Sequence, residues 1–263
     1  MEPFVTIMHF DLPLALEQEF GGFLNRSMMN YYEDYCELLF EAYGDRVKNW
    51  ITFNEPNVAT TFGYMWGFGP PYSRKCLPPK CVKPVGDKTR EPYIVTHNYI
   101  LAHAAAVKLY RKKFQATQRG KVGIVLQVSD YKPVTLEHEN VAAAQRLLDF
   151  HTGWYVEPLV FGHYPQSLKV ILKDRLPTFT GKERKMKDIS TGPCLIILNG
   201  LMASAKDMGF TTLIFKTISI ACQKNLLNGS MHSSMAIPLE PPRLFANNLL
   251  TELLVEKGVS GMM

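Results

Sequence analysis

No block of five or six like charges occurs anywhere in the chain, and a formal net charge of +5 is mild for 263 residues. A nucleic-acid role has little support on that balance, because it calls for a basic patch or stripe. The basic run Arg111-Lys112-Lys113 closes a helix-like segment, where cations suit the negative end of the helix dipole. Long apolar runs are missing too. The longest candidate, residues 213–221, is broken by Lys216 and falls short of the ~18 apolar residues of a membrane helix. Met1-Glu2-Pro3-Phe4 leads straight into an apolar stretch with neither a basic n-region nor a cleavage site, so no signal peptide is expected there. The chain is expected to be soluble, and its localisation is not readable from these features.

Cysteines are few and scattered: Cys36, Cys76, Cys81, Cys194 and Cys222. Only Cys76 and Cys81 are close, and no second Cys or His pair follows them at ligand spacing. That excludes a zinc ribbon, and no metal or organic cofactor is expected. A loop-closing disulfide between Cys76 and Cys81 fits if the chain folds in an oxidising compartment. Two sequons, Asn25-Arg26-Ser27 and Asn228-Gly229-Ser230, are compatible with such a compartment.

What is present is a strand–helix alternation. Phe4-Val5-Thr6-Ile7-Met8-His9-Phe10 is short, β-branched and mostly apolar, and stops at Asp11-Leu12-Pro13, the profile of a buried parallel strand. Over residues 27–43, Met28, Tyr32, Tyr35, Leu38, Leu39 and Ala42 recur at helical spacing, with Gly44 as a natural stop. A second strand, Trp50-Ile51-Thr52-Phe53, ends in Asn54-Glu55-Pro56. A loop rich in Gly, Pro and Cys covers about 67–89, followed by a helix over 93–114, a strand over 122–128, and helical patterns over 139–150 and 167–172. Three rounds of alternation argue for a parallel α/β architecture. After about residue 188 charges become scarce and the alternation is lost.

In parallel barrels catalysis sits at the C-terminal ends of the strands. His9 and Asp11 follow the first strand here, and Asn54 and Glu55 follow the second. A carboxylic acid at a strand end can protonate a leaving oxygen if its pKa is raised, and a neighbouring amide can hold a sugar hydroxyl. On the residues alone the plainer reading, a strand-ending Asn-Glu-Pro that caps the next helix, is the preferable one. Asp11 reads as a loop-capping residue rather than a second acid, and His97 and His103 read as core or helix-face residues.

The string Trp50-Ile51-Thr52-Phe53-Asn54-Glu55-Pro56 resembles the acid/base motif of glycoside hydrolase family 1. Around it, in order, lie Pro3-Phe4-Val5-Thr6-Ile7-Met8-His9-Phe10-Asp11-Leu12-Pro13, Tyr43-Gly44-Asp45-Arg46-Val47, Glu91-Pro92-Tyr93-Ile94-Val95-Thr96-His97-Asn98, Leu101-Ala102-His103-Ala104 and Gly162-His163-Tyr164-Pro165. The resemblance covers roughly residues 2–187 and is strongest to plant β-glucosidases. It implies a (β/α)8 barrel, of which residues 1–188 are a part, and a small-molecule β-glucoside as the partner. It implies Glu55 as the acid/base, Asn54 on the glycone 2-hydroxyl and His9 on another glycone hydroxyl. Glu rather than Gln at position 55 favours an O-glycosidase over the thioglucosidase branch. Phe10 stands where the family usually has Trp. Trp66 and Phe68 are candidates for aglycone contact, against plain loop packing. Cys76 and Cys81 match the position of a loop disulfide in plant members.

The pattern also has departures. A retaining pair needs a second carboxylate about 5–5.5 Å from the first. No Thr-Glu-Asn-Gly nucleophile motif occurs in the 263 residues, and Thr251-Glu252 is followed by Leu253-Leu254. The family's first two barrel strands have no counterpart before Pro3. Residues 189–263 are expected to be a divergent segment, in which Cys194-Leu195-Ile196-Ile197-Leu198-Asn199-Gly200 is either an echo of the next family strand or chance; a frame change or aberrant splice near Asp188 would account for it. The expectation is therefore a partial barrel, marginally stable, with a β-glucosidase lineage and no turnover of its own. The alternative is a non-catalytic sugar-binding or regulatory fragment, self-associating or pairing with a full-length relative.

Overall fold

In this computed structural model the described residues are 3–67, 69–71, 86–129 and 131–184, together with the backbone of two later strands. Phe68, Cys76, Cys81, Asn228 and Glu252 lie outside them. Five strands form one sheet: β1 (Phe4–Met8), β2 (Asn49–Asn54), β3 (Lys121–Ser129), β4 (Cys194–Leu201) and β5 (Phe215–Ala221), in that spatial order. The pairs β1–β2, β2–β3 and β3–β4 are parallel, whereas β5 runs antiparallel to β4. The apolar run at Cys194 is thus a fourth parallel strand, continuous in register with β3 from Val122 to Ser129. Strand order equals chain order, as expected when each parallel strand is reached by a crossover over the same face.

β2 and β3 are buried along most of their length, with only Asn54 among the β2 residues partly open. That suits near-continuous apolar strands covered on both faces. One cover is α2 (Met28–Tyr43), which buries Met28, Tyr32, Cys36 and Phe40, a strict four-residue line. Tyr35 and Leu38, which helical spacing also allowed as core, are exposed, at 44% and 61%. Apolar residues occupy two adjacent faces of this helix, and spacing alone does not say which one meets the sheet. The helix stops at Gly44, whose N–H reaches the Phe40 carbonyl at 3.0 Å, and the Gln118 side chain takes the same carbonyl at 2.8 Å.

The second cover, α4 (Glu91–Lys113), is buried on nearly every side, from Pro92 to Tyr110. A helix so enclosed must satisfy its polar side chains internally. His103 Nδ1 lies 2.8 Å from the Thr52 hydroxyl, which also reaches the Gly123 carbonyl at 3.1 Å, so one side-chain pair ties α4 to β2 and β3. His97 Nδ1 lies 2.9 Å from the Tyr164 hydroxyl and its ring packs against Phe179. Asn98 donates to the Phe23 carbonyl at 2.7 Å. Both histidines are core residues, as the sequence suggested, His97 hydrogen-bonded to Tyr164 and His103 to Thr52.

Burial lowers the pKa of His97 to about 4 and that of His103 to about 3, with a smaller push from Arg26 and Arg111 respectively. Unfolded imidazole titrates near 6.5, so below that pH the unfolded chain binds protons that the folded chain refuses. Stability is therefore whole above pH ~6.5 and falls as pH drops towards the folded values, by about 2 kcal/mol per histidine at pH 5. The urea midpoint is expected to fall between pH 7 and pH 5, with a shallower fall in His103→Gln. A midpoint independent of pH over that interval would contradict the buried, neutral assignment.

Candidate active site

Two consecutive strands end in the same unusual way. Phe10, two residues past β1, has φ 63°, and Glu55, immediately past β2, has φ 44° and ψ 52°. Both are left-handed conformations that cost a residue with a Cβ roughly 1–2 kcal/mol. Such strain persists where the surroundings dictate it, and it marks functional corners more often than ordinary loops. Hydropathy and spacing gave no hint of either, because neither residue is Gly or Asn.

The corner at Glu55 is fixed from both directions. Its N–H donates to the Val125 carbonyl at 2.8 Å, prolonging the β2–β3 ladder by one step. Its carbonyl accepts the N–H groups of Val58 and Ala59 at 2.9 and 3.0 Å, opening α3 (Pro56–Thr60). Pro56 at the first helical position loses nothing by lacking an N–H. Just before the corner the β2–β3 register shifts between Ile51 and Asn54, an irregularity of the kind that re-aims a side chain at a strand end. Glu55 does stand at the N-cap of the next helix, but its carboxylate makes no capping hydrogen bond. The plainer reading of Asn-Glu-Pro is thus right about the backbone position and wrong about the use of the side chain.

The structure brings His9 and Asn54 together. Asn54 Nδ2 lies 3.0 Å from His9 Nε2, which joins the end of β2 to the end of β1 directly beside Glu55. With Nδ2 donating, His9 carries its proton on Nδ1. His9 is held in turn through its backbone N–H, which donates to Asp11 Oδ1 at 2.7 Å, so Asp11 acts as a turn-forming residue. The ring of His9 meets that of Phe10 edge to face at 4.9 Å. His9 is exposed and Glu55 half-buried, so the cluster faces solvent at the end of the sheet.

Sequence reasoning missed the residues that hold this corner. The Asn57 side chain bonds both backbone groups of Gln127, donating to its carbonyl at 2.7 Å and accepting its N–H at 3.2 Å. Asn57 thereby copies a strand ladder and pins α3 to β3. On the other side, the buried Tyr155 hydroxyl lies 3.1 Å from the Pro56 carbonyl, 2.9 Å from the Thr60 hydroxyl and 3.0 Å from the Thr96 hydroxyl. A polar side chain in the first turn after Asn-Glu-Pro was the available signal for Asn57; Tyr155, 100 residues from Glu55 in sequence, offered none. Further along, Phe62 and Trp66 stack with centroids 5.3 Å apart, and both are exposed. A small cleft lined by Met8, Phe10, Ala59, Phe62, Tyr64 and Tyr99 runs between this pair and the end of β1. Among the described residues no group of three His, Cys, Asp or Glu side chains could hold a metal ion, and no helix is long and apolar enough to cross a membrane.

A left-handed residue is relieved by Gly and not by Ala. Glu55→Gly is therefore expected to be about 1 kcal/mol more stable than Glu55→Ala, read as the urea midpoint of the two variants at pH 7. Equal midpoints would mean that the corner is not strained.

The sequence model of Glycosyl hydrolase family 1 matches residues 1–208. Beta-glucosidase 44 of Arabidopsis thaliana is 48% identical over 189 residues, covering 70% of this chain and 36% of that protein. Beta-glucosidase 1 of Oryza sativa subsp. japonica is 48% identical over 185 residues, 70% of this chain and 34% of its own length. A crystal structure of a rice β-glucosidase superimposes with a TM-score of 0.71 at 34% identity, over 83% of this chain and 47% of the other. The chain thus spans about a third of the length of the curated relatives it matches. These solved neighbours are (β/α)8 barrels, and the four parallel strands are a segment of that barrel; antiparallel β5 departs from it. Since the family match takes in β1 to β4 and the whole strand-end cluster, this chain belongs to glycosyl hydrolase family 1.

Proposed function

We propose that this chain carries the acid/base half of a retaining O-β-glucosidase site. The observation that carries the reading is the strained corner that holds Glu55 beside the His9–Asn54 pair. Glu55 protonates the glycosidic oxygen as the bond to the aglycone breaks, then takes a proton from the incoming water. Asn54 holds the glycone 2-hydroxyl and His9 a second hydroxyl. The exposed Phe62–Trp66 stack offers an aromatic face to the aglycone. Cys76 and Cys81 close the intervening loop as a disulfide, and the chain works in a secretory compartment, both on the strength of family likeness.

The second carboxylate is the missing half. No Thr-Glu-Asn-Gly sequence occurs in the 263 residues, and Asp11 is committed to the His9 backbone. Without a nucleophile about 5–5.5 Å from Glu55 no glycosyl-enzyme forms. Residues 189–208, with β4, lie inside the family match, so we assign the divergent segment to the chain beyond 208, where the match gives out and β5 reverses direction. A second reading, sugar binding without hydrolysis by a fragment paired with a second copy or a full-length relative, is favoured by one feature. The end strand β1 and its neighbour α2 leave Phe4, Tyr35 and Leu38 exposed.

Hydrolysis of a chromogenic aryl β-glucoside by the purified chain tests the proposal, with Glu55→Gln as control. Folded chain is expected to give no turnover above the control. Turnover that Glu55→Gln abolishes would show that a nucleophile is present and would overturn the half-site reading. Glucoside binding lost in His9→Ala, without hydrolysis, would favour the second reading.

A further inference from the structure

The sequon at Asn25 has a structural setting that the glycosidase site does not use. Asn25 and Arg26 are exposed, on the short link between a 3-10 turn, Gly22–Leu24, and the start of α2. The link is anchored on both sides. Phe23, 1% exposed, packs against Tyr32, Phe53 and Tyr99 and lends its carbonyl to Asn98, while Met28 on the other side is also 1% exposed. The core therefore presents Asn25 outward between two fixed points.

Ser27 occupies the N-cap position of α2, where a serine ordinarily bonds the second or third helical N–H. Here it makes no such bond. Its hydroxyl donates instead to Asn25 Oδ1 at 2.9 Å, and its backbone N–H donates to the same oxygen at 3.0 Å. The carboxamide oxygen is thus held by two donors, and among the described residues nothing hydrogen-bonds Asn25 Nδ2. The hydroxyl of the third sequon residue is spent on the acceptor amide rather than on the helix.

We propose that Asn25 is an N-glycan acceptor. Transfer joins Asn25 Nδ2 to the anomeric carbon of a lipid-diphosphate oligosaccharide. The C1–O bond to phosphate breaks, the lipid diphosphate leaves with that electron pair, and one amide proton passes to the transferase's base. The folded chain then holds the glycan in solvent without disturbing a buried group. This inference is independent of the role of Glu55.

The test is translation of the full 263-residue chain behind a cleavable secretion leader with endoplasmic-reticulum microsomes. The protease-protected chain is compared on gels with and without peptide:N-glycosidase, then mapped by mass spectrometry. We expect Asn25→Gln and Ser27→Ala each to remove one glycan, and Ser27→Thr and Asn228→Gln to leave the Asn25 glycan in place. Because transfer precedes folding, a destabilised variant still reports. A protected chain with no glycan, or one whose glycan content is unchanged in Asn25→Gln, overturns the proposal.

Discussion

The candidate site depends on how β2 is made to end. A parallel strand that runs into a helix must reverse its backbone within a residue or two, and the cheapest residue for that is glycine. Here the reversal falls on Glu55, in the left-handed region, so a carboxylate stands where a hydrogen would be easier. The surroundings supply what the residue's own preferences do not. Val125 holds the incoming N–H, Asn57 copies a strand ladder against Gln127, and Tyr155 gathers Pro56, Thr60 and Thr96. Each bond is worth only ~1 kcal/mol net, yet together they outweigh a left-handed penalty of roughly 1–2 kcal/mol.

The same logic extends into the core. α4 lies among α2, α3, α7 (Trp154–Phe161) and the sheet, and its Thr96, His97, Asn98 and His103 are all buried. These side chains cost more than apolar ones to bury, but each has a specific partner elsewhere in the chain, so they help to fix how the helix sits on the sheet. His103 on Thr52 is the clearest case, since Thr52 sits two residues before Asn54 and its carbonyl also accepts the Tyr32 hydroxyl. The position of the strand end is therefore set partly from behind, by polar contacts on the helix side of β2.

Much of this was legible in the sequence, and the failures have physical causes. The strands at Phe4, Asn49 and Lys121 and the helices around them follow from β-branched runs and helical spacing, and the order of motifs around Asn54-Glu55-Pro56 pointed to the family. Tyr35 and Leu38 were misplaced because apolar residues on two neighbouring faces of α2 satisfy the same spacing, and only packing against α4 and the sheet selects Cys36 and Phe40. The fourth strand stayed ambiguous because a short apolar run is equally compatible with a strand or a chance segment until a neighbour pairs with it. α7 escaped because Pro158 inside it breaks the helical pattern. The left-handed corner, the register shift before it and the Tyr155 cluster are tertiary facts, made by residues too distant in sequence for spacing to connect.

What the chain holds, on this account, is one carboxylate of a pair whose chemistry needs two. A 2-deoxy-2-fluoro-glucoside with a good leaving group tests that most directly, because it traps the glycosyl-enzyme on whichever residue serves as nucleophile. Intact-mass spectrometry of the folded chain after incubation is expected to show no covalent sugar. A stoichiometric fluoroglucosyl adduct, mapped to any carboxylate of these 263 residues, would contradict the account.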